Sequence, residues 1–170
     1  MREVLVIAGV AGCGKSTVAA ALARELGWAL IEGDDHHDEA SVARMRDGTG
    51  LTDVDRTPWL GRIATTIRGI DGSSVVACSA LAHRHREVLR SSARNVSFVQ
   101  LSLSTTEATR RLAARRGHFA RSSLVASQFR DLEPLRPDES GVIVDATESI
   151  DTIVASVVAD RIRRADRLAR

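Results

Sequence analysis

The sequence predicts an α/β fold, a five-stranded parallel sheet flanked by helices. Short apolar runs rich in β-branched residues alternate with segments of helical periodicity, the pattern of a parallel sheet with right-handed crossovers. The runs are apolar throughout, as strands buried on both faces must be. The first run opens into a glycine-rich loop and then a helix. At 170 residues the chain suits one domain with a real core.

The first strand is Val4-Leu5-Val6-Ile7-Ala8. The helix after the loop runs from Thr17 to Leu26, with Val18, Ala21, Leu22 and Leu26 at helical spacing and Gly27 as its stop. Ala29-Leu30-Ile31 is a second strand, ending in Glu32-Gly33-Asp34-Asp35. A helix from Glu39 to Arg46 stops at Gly48. Another begins near Pro58, a favoured first-turn residue, with Asp55 or Thr57 as cap, and runs to Ile70. Ser74 to Cys78 is the third strand, Leu81 to Ala93 a helix, and Val96 to Leu101 the fourth strand. Helices follow at 105–116 and 123–132, with a break between them. Pro134 and Pro137 mark a loop, Val142 to Asp145 is the fifth strand, and a last helix starts at Ile150.

In such folds ligands sit beyond the carboxyl ends of the strands. The first of these places holds Gly9-Val10-Ala11-Gly12-Cys13-Gly14-Lys15-Ser16, followed by Thr17, which fits the phosphate-binding pattern G-x-x-x-x-G-K-[ST]. The chain has 24 cationic residues, and Lys15 is its one lysine. A compact, flexible ammonium suits this position where a planar guanidinium does not. The glycines let successive N–H groups curl around phosphates, and the helix N-terminus adds partial positive charge. Lys15 is expected to reach the β- and γ-phosphates and the Ser16 hydroxyl to ligate Mg²⁺. The chain is therefore expected to bind a nucleoside triphosphate.

Composition excludes several classes. The net charge of +2 implies no polyanion partner, and the arginines from Arg161 to Arg170 read as a solvated last helix rather than a nucleic-acid tail. No apolar stretch is long enough to span a membrane and no signal peptide precedes the first strand, so a cytoplasmic protein is expected. Cys13 and Cys78 make no disulfide framework. Cys13, near a helix start, is a candidate for mild oxidant sensitivity. No Asn-Lys-x-Asp guanine reader exists, which excludes a GTPase, and no acid follows the third strand, which disfavours a nucleic-acid-processing ATPase. The nearest acid is Asp34, where it suits a small-molecule kinase by accepting a hydroxyl proton or holding a Mg²⁺-bound water. Adjacent side chains point apart, so His36-His37 is no metal site.

Further blocks carry a resemblance. Gly33-Asp34, His37, Met45-Arg46-Asp47-Gly48 and Leu51 to Leu60, with Asp55-Arg56-Thr57-Pro58-Trp59-Leu60 the most specific part, resemble the substrate side of the phosphate-loop gluconate kinases. Cys78-Ser79-Ala80-Leu81 with Arg86, and Arg116-Gly117-His118-Phe119 with Ser127-Gln128-Phe129, resemble that family's later blocks. The resemblance implies a three-layer kinase core like that of shikimate and adenylate kinases, with a mobile lid at about 116–130. It also implies a homodimer and transfer of the ATP γ-phosphoryl group to the terminal hydroxyl of D-gluconate. On that basis Lys15 and Asp34 are catalytic. Arg56 and Arg86 pair with the substrate carboxylate, His37 contacts a hydroxyl, and His118 and Gln128 reach the sugar acid on lid closure. Trp59 is read as packing. A kinase of another small hydroxylated acid, such as shikimate, and a nucleotide-binding regulator without turnover remain alternatives. The chain departs from the family at Asp38, Ser41, Gly50, Ala82 and His85, which stand for the usual proline, asparagine, proline, lysine and tyrosine.

Overall fold

Residues 2–114 and 121–168 are described by the computed structural model, excluding the side chains of 121–123, 167 and 168. The strands are β1 (Val4–Ala8), β2 (Ala29–Glu32), β3 (Ser74–Ala77), β4 (Val96–Ser102) and β5 (Gly141–Asp145). The helices are α1 (Lys15–Leu26), α2 (Glu39–Arg46), α3 (Asp53–Gly69), α4 (His83–Arg90), α5 (Thr105–Ala113), α6 (Arg121–Asp131) and α7 (Ile150–Leu168). The sheet runs β2-β3-β1-β4-β5 with every pair parallel, Val6 lying between Val76 of β3 and Phe98 of β4.

All five residues of β1 are buried. Leu5 and Ile7 join Val18, Leu22, Ile153 and Val157 beneath α1 and α7, while Val4 and Val6 join Trp59, Ile63, Ile67 and Leu89 beneath α3 and α4. Covering both faces explains the lack of polar alternation, and each such buried aliphatic side chain contributes roughly 1.5–3 kcal/mol. The five strands fall where the sequence predicts them, within a residue at either end.

Helix starts differ more. The helix α3 begins at Asp53, five residues before Pro58. The Asp55 carboxylate accepts from the Thr52 backbone N–H at 2.8 Å and from its hydroxyl at 2.7 Å, so the Thr52–Asp55 contact outweighs the proline signal. The helix α1 begins at Lys15 directly after left-handed Gly14, and α4 is confined to His83–Arg90. Gly33–His36, read from the sequence as the end of the second strand, forms a 3₁₀ turn. Asp38, which replaces a proline, caps α2 by accepting the Ser41 N–H at 2.7 Å. In α7, Arg161 pairs with Glu3 at 2.7 Å and lies 4.8 Å over the Trp28 ring, tying the helix to the body.

Candidate active site

The phosphate loop connects β1 to α1 at the centre of the sheet. Gly9, Gly12 and Gly14 have φ of 143°, 84° and 96°, in the region that favours glycine. At Gly9 a Cβ would also meet Cys13 Sγ at 2.8 Å and the Leu101 carbonyl at 2.9 Å. The loop thus curls at the start of α1, whose N-terminal amides and dipole favour an anion. Lys15 Nζ donates to the Val10 carbonyl of its own loop at 3.0 Å. The Ala11 N–H donates to Gln128 Oε1 at 2.6 Å, bringing α6 onto the loop.

Beyond β2 the chain passes tightly against β3. A Cβ at Gly33 would lie 2.5 Å from the Ala77 carbonyl, so only glycine fits. The next residue, Asp34, has an 83% exposed side chain, and His37 Nε2 lies 3.9 Å from its carboxylate. The His37 ring stacks on Trp59 at 4.3 Å, and Trp59 Nε1 donates to the Gly33 carbonyl at 2.7 Å. Trp59 is therefore packing that also fixes the turn. Burial lowers the His37 pKa below its ordinary value, against the opposing pull of Asp34 and Asp38. His36 turns elsewhere, its two ring nitrogens meeting the Glu32 carbonyl and Thr66 Oγ1.

Arg56 is 3% exposed. Its Nε donates to the Leu51 carbonyl at 3.2 Å and its Nη2 reaches Asp131 Oδ2 at 3.4 Å. The other guanidinium N–H groups have no protein partner among the described residues. Lys15, Ser16, Asp34, His37, Arg56 and Gln128 line one cavity of about 200 Å³. Ser79 also lines it, just before Ala80, whose φ of 36° is the one positive value at a non-glycine among the described residues. Such strain persists where the surroundings over-determine the backbone, as at ligand clamps.

Arg86 is the correction. It is 1% exposed and does not line the cavity. Its Nε and Nη2 pair with the Glu139 carboxylate at 2.6 and 2.8 Å, and its remaining N–H groups meet the carbonyls of Ala80, Leu81, Glu133 and Pro134. All five donors are occupied, leaving none for a substrate carboxylate. His118, with residues 116–120 of the expected lid, lies outside the described residues, whereas 121–130 belong to α6.

Sequence reasoning gave Glu32 no role. The Ser16 hydroxyl donates to Glu32 Oε2 at 3.0 Å. The available signal was its place as the last residue of β2, at the carboxyl edge where ligands gather. The departures at Ser41, Ala82 and His85 are buried and do not line the cavity. His85 is instead a structural tie, accepting the Ala82 N–H at Nδ1 and meeting Asp53 at Nε2.

A second cleft, about 420 Å³, opens on the other flank of the loop, between Cys13, Arg111, Ala146, Glu148 and Ile153. Arg111 is held there by Glu107 at 2.7 Å and the Ala146 carbonyl at 2.9 Å. Hydrogen bonds from Arg110 and Arg111 hold the Glu107 carboxyl at about 2. Cys13 is 2% exposed, which closes it to bulky reagents.

A family profile described as an AAA domain matches residues 4–136. The gluconokinase of Gluconobacter oxydans is 40% identical over 157 residues, 91% of this chain and 88% of that protein. The crystal structure of a gluconokinase from Sinorhizobium meliloti superposes with a TM-score of 0.90 at 37% identity, covering 99% of this chain and 98% of that one. Shikimate kinase from Aquifex aeolicus, 11% identical with 96% and 98% coverage and a TM-score of 0.66, shares the fold alone.

Proposed function

This chain belongs to the gluconokinase family, and from that premise we propose that it transfers the γ-phosphoryl group of ATP to the terminal hydroxyl of D-gluconate. The observation that carries the reading is the shared cavity. One space is lined by the Lys15 ammonium, the exposed Asp34 carboxylate and the buried Arg56 guanidinium. A phosphorylated donor, a hydroxyl to be activated and an acid to be held need those three groups together.

Phosphoryl transfer is mostly positioning and charge neutralisation. The loop amides from Gly9 to Ser16 and the N-terminus of α1 cradle the phosphates, with Thr17 beside them. Lys15 exchanges the Val10 carbonyl for β- and γ-phosphate oxygens. Asp34 accepts the proton of the attacking hydroxyl. Arg56 pairs with the substrate carboxylate, for which the guanidinium fork is suited. His37, neutral near pH 7 because burial lowers its pKa, hydrogen-bonds a hydroxyl, and Gln128 contributes from α6. The Arg111 cleft takes the nucleoside end of ATP.

The residues also fit Mg²⁺. Ser16 Oγ and Glu32 Oε2 lie 3.0 Å apart beside the phosphate loop, oxygen donors of the kind this hard cation takes, and Asp34 lines the cavity that Ser16 also lines. When bound there, Mg²⁺ neutralises charge on the phosphate oxygens. With Glu32 on the metal side, Asp34 is left to act as base.

The reading carries with it a homodimer and a cytoplasmic setting, the first checked by sedimentation equilibrium. Among the described residues no helix is long and apolar enough to cross a membrane. The deciding assay couples ADP release to D-gluconate and a panel of sugar acids, with Lys15→Ala as control. ATP-dependent, Lys15-dependent phosphorylation of D-gluconate in preference to the other acids is expected, and no turnover with D-gluconate refutes the reading.

A further inference from the structure

Two buried arginines sit near the acceptor side, and their surroundings differ in kind. Around Arg86 every donor is closed by Glu139 or by a backbone carbonyl. Around Arg56 the described residues supply two hydrogen bonds, Nε to the Leu51 carbonyl at 3.2 Å and Nη2 to Asp131 at 3.4 Å. A guanidinium has five N–H donors, so about three remain for a ligand. Two anchors at Nε and Nη2 are enough to fix the plane of the group. They leave the Nη1 side uncommitted, and Arg56 lines the cavity.

Asp131 is the last residue of α6, and its side chain is 37% exposed. Partly in water and at one long contact, it orients Arg56 without closing on it as Glu139 closes on Arg86. Gln128, three residues earlier on α6, is fixed to the Ala11 N–H of the phosphate loop at 2.6 Å. Residues three apart share a helix face. One face of α6 therefore touches the donor loop through Gln128 and the acceptor arginine through Asp131.

We propose that Asp131 is a positioning residue for acceptor recognition: with the Leu51 carbonyl it holds the Arg56 guanidinium in the plane that meets the substrate carboxylate. The inference rests on the gluconate reading above. It assigns Asp131 no contact with substrate. Its effect passes through Arg56, so it acts on binding of the acid and not on ATP or on the transfer step.

The test compares wild type with Asp131→Ala and Asp131→Asn. KM for D-gluconate and for MgATP, kcat, the calorimetric Kd for D-gluconate and the melting temperature are measured for each. In Asp131→Ala the gluconate KM and Kd rise about tenfold, while ATP KM and kcat stay within about twofold. Asp131→Asn retains an oxygen that accepts from Nη2, and so recovers most of the gluconate affinity. The melting temperature changes little in either variant. Unchanged gluconate KM and Kd in Asp131→Ala overturn the proposal. A joint rise of both KM values with a lower melting temperature also overturns it, since α6 is then only scaffold. A wild-type enzyme inert toward D-gluconate overturns the activity reading itself, a result distinct from either.

Discussion

Replacing Arg86 by methionine tests whether this arginine holds the fold or the substrate. Methionine keeps much of the length and removes the charge and all five donors. The Glu139 carboxylate, 0% exposed, then loses its cation, and the carbonyls of Leu81 and Glu133 lose their donor. Burial alone pushes the Glu139 pKa up, yet Arg86, helped by the Arg136 N–H, brings it from 4.5 to about 2. A shift of that size corresponds to roughly 3 kcal/mol at 1.36 kcal/mol per pH unit. Removing one partner of a buried ion pair independently costs roughly 3–5 kcal/mol. For a chain of this size each kcal/mol moves the melting temperature by about 2–4 °C, so the variant should melt about 6–20 °C lower. Thermal melts followed by circular dichroism give the shift, and kinetics at 20 °C, on the folded protein, give KM. The sign with pH is also fixed. A depressed carboxylate stabilises above its unfolded value of 4.5, and that contribution is lost as pH falls toward about 2. The stability gap between wild type and variant should therefore narrow in acid. An unchanged melting temperature with a tenfold higher gluconate KM would refute the structural assignment.

Asp34→Asn should lower kcat by roughly 10²–10⁴ with little change in KM, measured by ADP release; a fall below about threefold removes Asp34 as base. Glu32→Gln should raise the Mg²⁺ concentration for half-maximal activity several-fold while leaving the gluconate KM alone, and an unaltered Mg²⁺ titration would discard Glu32 as a metal ligand. Burial lowers both His37 and His85 below 6.5. The unfolded chain therefore binds more protons below that pH, and stability should fall as pH drops below about 6.5. His85→Gln should flatten this dependence in melts across the range, and an unchanged slope would argue against it.

The fold was legible because burial on both sheet faces writes itself into Val4–Ala8 and its fellow runs as unbroken apolar sequence. Helix starts were less so, since two signals compete: Pro58 reads as a first-turn residue, yet the Thr52–Asp55 contact sets the start earlier. The phosphate loop was legible because its glycines and Lys15 answer a local demand. Arg86 was not. A matching block records that an arginine is wanted there and is silent on its partner, and Glu139 lies 53 residues along the chain. Glu32 was given no role for a related reason, since its tie to Ser16 crosses from β2 to α1. Asp38 shows the reverse case, where a departure from the family pattern is explained by a purely local cap.

The strand order also divides labour within the enzyme. Asp34, His37, Arg56 and Ser79, which line the cavity beside Lys15, hang from the β2–β3 half of the sheet and its crossover, and Arg111, Ala146 and Glu148, which line the second cleft, from the β4–β5 half. The phosphate loop straddles the seam on β1. On the proposed assignment, loop changes on one half rewrite which acid is accepted while the ATP side stays as it is, a reason this scaffold can serve new acceptors without rebuilding its energy source.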